Sequence, residues 1–159
     1  MHTLLKNCCT VLTLTLLVFA YPSEAGEAKK SSLYERLGGI YAIASVADEL
    51  VEVALADPVI NANPQVKEIS AHLPKAGLKY QLTSFVARAC GGPQKYTGRS
   101  MKKAHAHLNI SEKEWQALVI DLQGVLDKFK VPQQEQKELL TLIGSTKKDI
   151  VTAKPSGSI

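Results

Sequence analysis

Ile43, Val46, Ala47, Leu50, Val51, Ala54 and Leu55 recur at intervals of three and four residues, which puts all seven on one side of a helix over roughly 40–56. No run of four to eight residues anywhere in the chain alternates as a half-buried strand does. Together these patterns constrain the fold to the all-α class. Leu78, Leu82, Phe85, Val86 and Ala89 form a second stripe, which Gly91-Gly92-Pro93 stops. Residues 93–100 read as a loop, and a short helix over about 100–108 carries Met101, Ala104, His105 and Leu108 on one side. Ser111 with Glu114 three residues on is a capping box, flanked by Ile110 and Trp115 as a hydrophobic staple. The helix it opens presents Leu118, Val119, Leu122, Val125, Leu126 and Phe129. A last helix starts near Pro132 and is expected to run unbroken through Leu139, Leu140, Ile143 and Ile150. Gly38-Gly39 sets off a short opening segment, Leu33 to Leu37. Asp57-Pro58 ends the first long helix, because the residue before proline avoids the helical region.

The chain begins differently. Lys6 precedes the apolar run Thr10 to Ala20, and Ser23 and Ala25 follow at the positions a signal peptidase needs small. The run is short for a bilayer-spanning helix, which takes about 20 residues. Residues 1–25 therefore read as a secretory signal peptide rather than a membrane anchor. Residues 26–32 are polar and loose, residues 33–152 form one domain, and residues 153–159 are expected to be disordered. After cleavage only Cys90 remains of the three cysteines, so no disulfide can form within the mature chain. Export without disulfides fits a bacterial periplasm better than a stapled secreted scaffold.

Of 159 residues, 45% are apolar and 21% charged, an ordinary globular balance that excludes a wholly disordered or collagen-like chain. The formal charge of +4 is too small and dispersed for a dedicated nucleic-acid binder. The polar residues include no Ser/His/Asp set, no glycine-rich phosphate loop and no paired-cysteine zinc spacing. Three histidines survive processing: His72, His105 and His107. Two positions apart on a helix is about 200°, so only one of His105 and His107 can face inward. His105 shares the apolar side with Met101 and Leu108, whereas His107 faces solvent with Lys103. Taken alone, such a histidine is more often a packed core residue than a ligand, and a zinc site from His72, Cys90 and this pair has no supporting spacing.

The residues Leu33-Tyr34-Glu35-Arg36-Leu37-Gly38-Gly39, Leu55-Ala56-Asp57 and above all the block from Gly91 to His105 resemble the group I truncated haemoglobins. These are short globins with helices stacked two over two around haem. The resemblance covers roughly residues 33–152. It implies non-covalent haem b with His105 as proximal iron ligand, and a haem pocket contributed to by Met101, Tyr96, Phe85, Leu82, Leu78, Val51 and Leu108. A neutral imidazole suits that task, since one nitrogen binds iron while the other N–H is oriented by a backbone acceptor. No Cys-x-x-Cys-His occurs, and no histidine follows His107 where some relatives attach haem, so no covalent link is expected.

The departures from the family pattern shape the functional expectation. Relatives that hold oxygen strongly place a tyrosine on the early helix and glutamines on the distal helix. Here Val51, Leu78 and Leu82 occupy the aligned positions. An apolar distal pocket favours carbon monoxide or nitric oxide relative to oxygen, which takes on partial negative charge when it binds and needs a donor. Asn63-Pro64 replaces a Phe pair, and residues 65–77 include about six more than typical members have. His72, in that stretch, is a candidate sixth iron ligand against the simpler reading of a surface-loop residue.

The resemblance thus implies a haem protein that binds O2, NO or CO reversibly, with an electron-donating redox protein as a further partner and no membrane contact after signal cleavage. The alternatives are an enzyme that removes nitric oxide with the help of a separate reductase, a six-coordinate electron carrier using His72, and a haem-free helical interaction domain. Export predicts that mass spectrometry of the native protein finds a chain beginning near Gly26; a cytoplasmic species beginning at Met1 overturns it.

Overall fold

The computed structural model describes residues 31–153. The expected signal segment, residues 26–30 of the loose stretch and residues 154–159 of the tail lie outside the described residues. Nine helices are found among them: α1 (Leu33–Arg36), α2 (Gly39–Ala56), α3 (Pro58–Asn61), α4 (Pro64–His72), α5 (Lys75–Ala89), α6 (Met101–His105), α7 (Glu112–Lys128), α8 (Gln133–Gly144) and α9 (Lys147–Ile150). The described residues contain no strand, only an isolated parallel bridge between Ile110 and Val151. No helix among them is long and apolar enough to cross a membrane.

The ends of these helices follow from local chemistry. The Ser32 hydroxyl accepts from the Glu35 amide at 3.2 Å and the Glu35 carboxylate accepts from the Ser32 amide at 2.9 Å, a capping box that starts α1. Gly38 and Gly39 then take φ of 91° and 75°, a left-handed turn that side chains resist, and this reverses the chain into α2. At the far end of α2, Asp57 is extended. Its carboxylate accepts from the Val59 and Ile60 amides at 2.7 and 2.8 Å, so the residue that ends α2 also caps α3. Ser111 and Glu114 form the expected box at the start of α7.

Two helix pairs form the frame. Helix α2 packs on α5 and α7, and α8 packs on α7 and α1. Ile43, Ala47, Leu50 and Val51 are the buried residues of α2, all from the stripe read in the sequence. One core centres on Leu126, which is wholly buried, with Leu33, Leu50, Cys90, Leu122, Val125 and Leu139 around it. Each such aliphatic side chain contributes about 1.5–3 kcal/mol. Ion pairs brace the outside. Arg36 reaches Glu135 at 3.0 Å and also Glu138, joining α1 to α8. Lys75 and Lys79 of α5 hold Glu52 of α2 at 2.7 and 2.8 Å, and Lys79 also holds Asp48. The two lysines, Lys75 foremost, draw the Glu52 carboxyl down to about 2.

A second, smaller core of Ile110, Trp115 and Ile150 collects Met101, Leu108, Val66, Val119, Ile143 and Val151. It explains two differences from the sequence reading. The last helix is not continuous: α8 stops at Gly144, and Ser145 and Thr146 turn their hydroxyls onto the Leu142 and Ile143 carbonyls at 2.6 and 2.7 Å. The break re-aims α9 so that Ile150 enters this core and the Ile110 carbonyl accepts from the Thr152 and Ala153 amides. The inserted stretch is also a helix, α4, although it buries no residue fully. Its N-cap, Asn63, is 5% exposed. The Asn63 carbonyl oxygen accepts from the Gln65 and Val66 amides at 3.0 and 3.2 Å, and its NH2 donates to the Leu108 carbonyl at 2.9 Å. One side chain thus starts α4 and ties it to the chain just beyond α6.

Replacing Asn63 by alanine removes a cap and deprives the part-buried Leu108 carbonyl of its donor. Asn63→Ala is expected to lower the unfolding free energy in urea by about 1–3 kcal/mol. A loss within the scatter of ordinary surface substitutions refutes the double role.

Candidate haem site

A cavity of about 1010 Å³ lies between the α2–α5 pair, α6 and α7. It stands at the upper end of the ~300–1,000 Å³ that ligand pockets span, so it suits a large, flat, mostly apolar occupant. Each element contributes a face. Helix α2 supplies Val51, which is 4% exposed, together with Leu50, Ala54 and Leu55. Helix α5 supplies Leu78, Gln81, Leu82 and Phe85. The loop before α6 supplies Tyr96, Thr97, Gly98 and Arg99, and α6 supplies Met101, Ala104 and His105, with Leu108 just after it. Trp115, Leu118, Val119 and Leu122 of α7 close the opposite wall. The space continues to Phe129, Val131 and Pro132, where α7 turns into α8.

His105 is half-buried on this wall. Its Nδ1 lies 2.8 Å from the Met101 carbonyl oxygen one turn earlier. A carbonyl can only accept, so Nδ1 carries the hydrogen and Nε2 keeps the lone pair that a metal needs. The ring is thereby set by the helix that carries it. Ser100 caps α6, its hydroxyl accepting from the Lys103 amide at 3.3 Å. Met101 and Leu108 anchor the same segment in the core around Trp115.

The loop beside α6 is built to lie close to an occupant. The Tyr96 ring meets Phe85 edge-on, with centroids 5.4 Å apart, and its hydroxyl donates to the Arg99 carbonyl at 2.6 Å. Desolvation raises the Tyr96 pKa above its ordinary value. A Cβ on Gly98 would come within 2.4 Å of the Tyr96 hydroxyl oxygen and 2.7 Å of Gln81 Oε1. Only glycine leaves that approach open.

All eight residues expected to line the haem pocket, His105, Met101, Tyr96, Phe85, Leu82, Leu78, Val51 and Leu108, come together on the one cavity. His72 does not. It is exposed at the end of α4, its Nδ1 is 3.0 Å from the Glu68 carbonyl, and it is outside the cavity lining. Tyr80 is 63% exposed and likewise outside it. His107, two residues beyond the end of α6, is exposed, as expected, but it also contributes to the cavity lining.

Gln81 is the residue that sequence reasoning missed. It falls in the stripe Leu78, Gln81, Leu82, Phe85, spaced as i, i+3, i+4 and i+7, so it is the one polar member of an inward helical face. That spacing was the available signal. Its Oε1 is buried without a hydrogen-bond partner. An orphaned acceptor in an apolar cavity costs about 1–3 kcal/mol, which only a group that donates a hydrogen bond relieves. The lone pair of His105, the apolar walls and the open approach at Gly98 together fit haem, a large apolar macrocycle with a metal at its centre.

Comparison with known proteins agrees with the geometry. The family model for bacterial-like globins matches residues 32–152. The chain is 29% identical over 127 residues to a group 1 truncated haemoglobin of Synechocystis sp., covering 76% of this chain and 98% of that protein. It is 34% identical over 92 residues to one from Nostoc commune, covering 55% of this chain and 70% of that protein. Among solved structures, the truncated haemoglobin of Tetrahymena pyriformis in its Fe(III) form superposes with a TM-score of 0.66 at 26% identity, over 76% of this chain and 98% of that one. The 2/2 haemoglobin of Synechococcus sp. PCC 7002, which carries covalently attached haem, gives 0.67 at 26% identity with the same coverage. The two-over-two helical frame, the cavity it encloses and these likenesses agree, and the chain belongs to the bacterial-like globin family as a group 1 truncated haemoglobin.

Proposed function

We propose that the cavity holds haem b, that His105 is its proximal iron ligand, and that the protein binds a diatomic gas reversibly on the opposite face. The observation that carries this reading is the Nδ1 contact of His105 with the Met101 carbonyl, which leaves Nε2 as the free donor on the wall of an apolar cavity. Haem iron in such a setting supplies one open coordination position for O2, NO or CO. The chain's own residues do the rest. Met101 packs beside His105, Tyr96 and Gly98 hold the loop against the macrocycle, and Trp115 and Leu118 exclude water from the far wall. Attachment is non-covalent, because Lys147 and Lys148 stand where some relatives use a histidine.

Val51, Leu78 and Leu82 make the gas-binding side apolar, which supports nitric oxide or carbon monoxide as favoured ligands relative to oxygen. Gln81 is the exception on that wall. Its Oε1 lies beside Gly98 and finds no donor there. The exposed position of His72 supports a five-coordinate resting iron rather than an electron carrier. Export to the periplasm remains part of this reading, as does an electron-donating protein that keeps the iron ferrous.

Two measurements test it. His105→Ala should abolish haem retention or the histidine-bound ferrous spectrum, with and without carbon monoxide, while His107→Ala should leave both unchanged; the reverse pattern overturns the assignment. Val51→Tyr should place a hydroxyl on the gas-binding side. At about 1.5–3 kcal/mol for a hydrogen bond to a charged acceptor and 1.4 kcal/mol per factor of ten, oxygen release should slow roughly 10- to 100-fold, with carbon monoxide release nearly unchanged. Oxygen release unmoved by Val51→Tyr but accelerated by Gln81→Leu transfers the donor role to Gln81.

A further inference from the structure

We infer that the collar of basic side chains around α6 is the docking site for an acidic electron-donor protein that reduces the haem iron; this rests on the haem reading above. From residue 69 to residue 111 the chain contains no aspartate or glutamate, yet it carries Lys75, Lys79, Arg88, Lys95, Arg99, Lys102 and Lys103. That stretch comprises α5, the loop and α6, the elements that supply Gln81, Tyr96 and His105 to the cavity. Lys75 and Lys79 are consumed by Asp48 and Glu52 of α2. Lys95, Arg99, Lys102 and Lys103 are exposed and make no ion pair among the described residues.

The positions of these four matter as much as their sign. Lys95 and Arg99 flank the loop whose Tyr96 and Gly98 touch the cavity, and Arg99 itself lines it. Lys102 and Lys103 lie within about one helical turn of His105, a separation of roughly 5 Å along the axis. Helix α9 packs on α6 and brings Lys147, Lys148 and Asp149, but Lys147 is held by Glu112 at 2.7 Å, so α9 leaves the positive excess as it is. The acidic residues among the described residues lie elsewhere: Glu35 on α1, Asp48, Glu49 and Glu52 on α2, Asp57 between α2 and α3, Glu68 on α4, Glu112, Glu114, Asp121 and Asp127 on α7, Glu135 and Glu138 on α8, and Asp149 on α9. The protein therefore presents a positive face at the cofactor's proximal edge and a mixed surface elsewhere.

The chemistry of the proposed function gives that face a purpose. Ferric haem must gain one electron before it binds O2 or CO. In the encounter one electron passes from the donor protein to the iron, the donor is oxidised by one electron, and no proton or group moves. A patch of one sign raises the rate of such encounters by about 10- to 1,000-fold in a salt-dependent way. A protein partner is favoured over a lipid surface, because residues 95–107 expose no large apolar side chain to insert into a bilayer.

The test uses the ferric holoprotein and its Lys95→Glu/Lys102→Glu/Lys103→Glu variant, which leaves Arg99 and the cavity untouched. The probes are a reduced plant-type [2Fe–2S] ferredoxin, a small acidic one-electron donor, and the methyl viologen radical cation. Docking predicts that reduction by ferredoxin slows with rising salt and falls at least tenfold in the variant at low salt, while reduction by the viologen is unchanged or faster. It also predicts that oxidised ferredoxin, titrated into the ferrous carbonmonoxy protein, shifts backbone amide signals of residues 95–107, and that the variant loses those shifts. Reduction by ferredoxin that ignores salt, or an equal fall with both reductants, overturns the proposal. Binding to phosphatidylglycerol vesicles without a ferredoxin effect assigns the collar to a lipid surface instead. A normal carbonmonoxy spectrum in the wild-type protein confines any such failure to the docking proposal; its absence overturns the haem reading itself.

Discussion

The structure turns on a five-residue helix that has to hold an imidazole at one angle. A helix that short has no stability of its own, because nucleation costs more than its few hydrogen bonds return. Every restraint on α6 therefore comes from outside it or from its ends. Ser100 caps it, Met101 and Leu108 sink into the core around Trp115, and the Leu108 carbonyl is held by Asn63. The broken α8–α9 corner is part of the same device, since α9 packs on α6 and Ile150 completes the core beneath it. Within that frame the Nδ1 contact of His105 with the Met101 carbonyl sets the ring.

The remainder of the fold can be understood as the walls of one apolar space. Many aliphatic residues of α2, α5 and α7 that pack in the core around Leu126, among them Leu50, Leu82, Leu118 and Leu122, also line the cavity. A domain of this length gains stability from any large apolar group it buries. Haem is thus both the functional group and a share of the core. Ion pairs between α2 and α5 and between α1 and α8 brace the walls from outside, where screening limits each to a small contribution.

Polar residues are placed sparingly and to separate ends. Val51, Leu78 and Leu82 give one wall of the cavity no hydrogen-bond donor, whereas Tyr96 and the exposed cations gather on the side of the loop and α6. The family resemblance implies a tyrosine and glutamines at these three positions in members that hold oxygen tightly. The difference lies in three side chains on an otherwise shared frame, which is why fold alone says little about the physiological ligand.

The sequence by itself determined the long helices and pointed to His105 as the candidate ligand. The stripes on α2, α5 and α7 were legible because these helices bury one face continuously, and their ends because Asp57-Pro58, Gly91-Gly92-Pro93 and the Ser111–Glu114 box act over a few residues. His105 was legible only through the block that leads to it, since a lone histidine on an apolar face has no chemical signature of its own. Tertiary structure decided what depends on distant partners. Helix α4 buries nothing fully and so shows no clear stripe, and its role emerges only when Asn63 meets Leu108, 45 residues away. The break at Gly144 exists because Ile150 is needed in the core beneath α6, and local propensity carries no record of that need. Gln81 gains its place only when its helix packs against α2 and turns that face inward, burying an oxygen that no neighbour among the described residues satisfies.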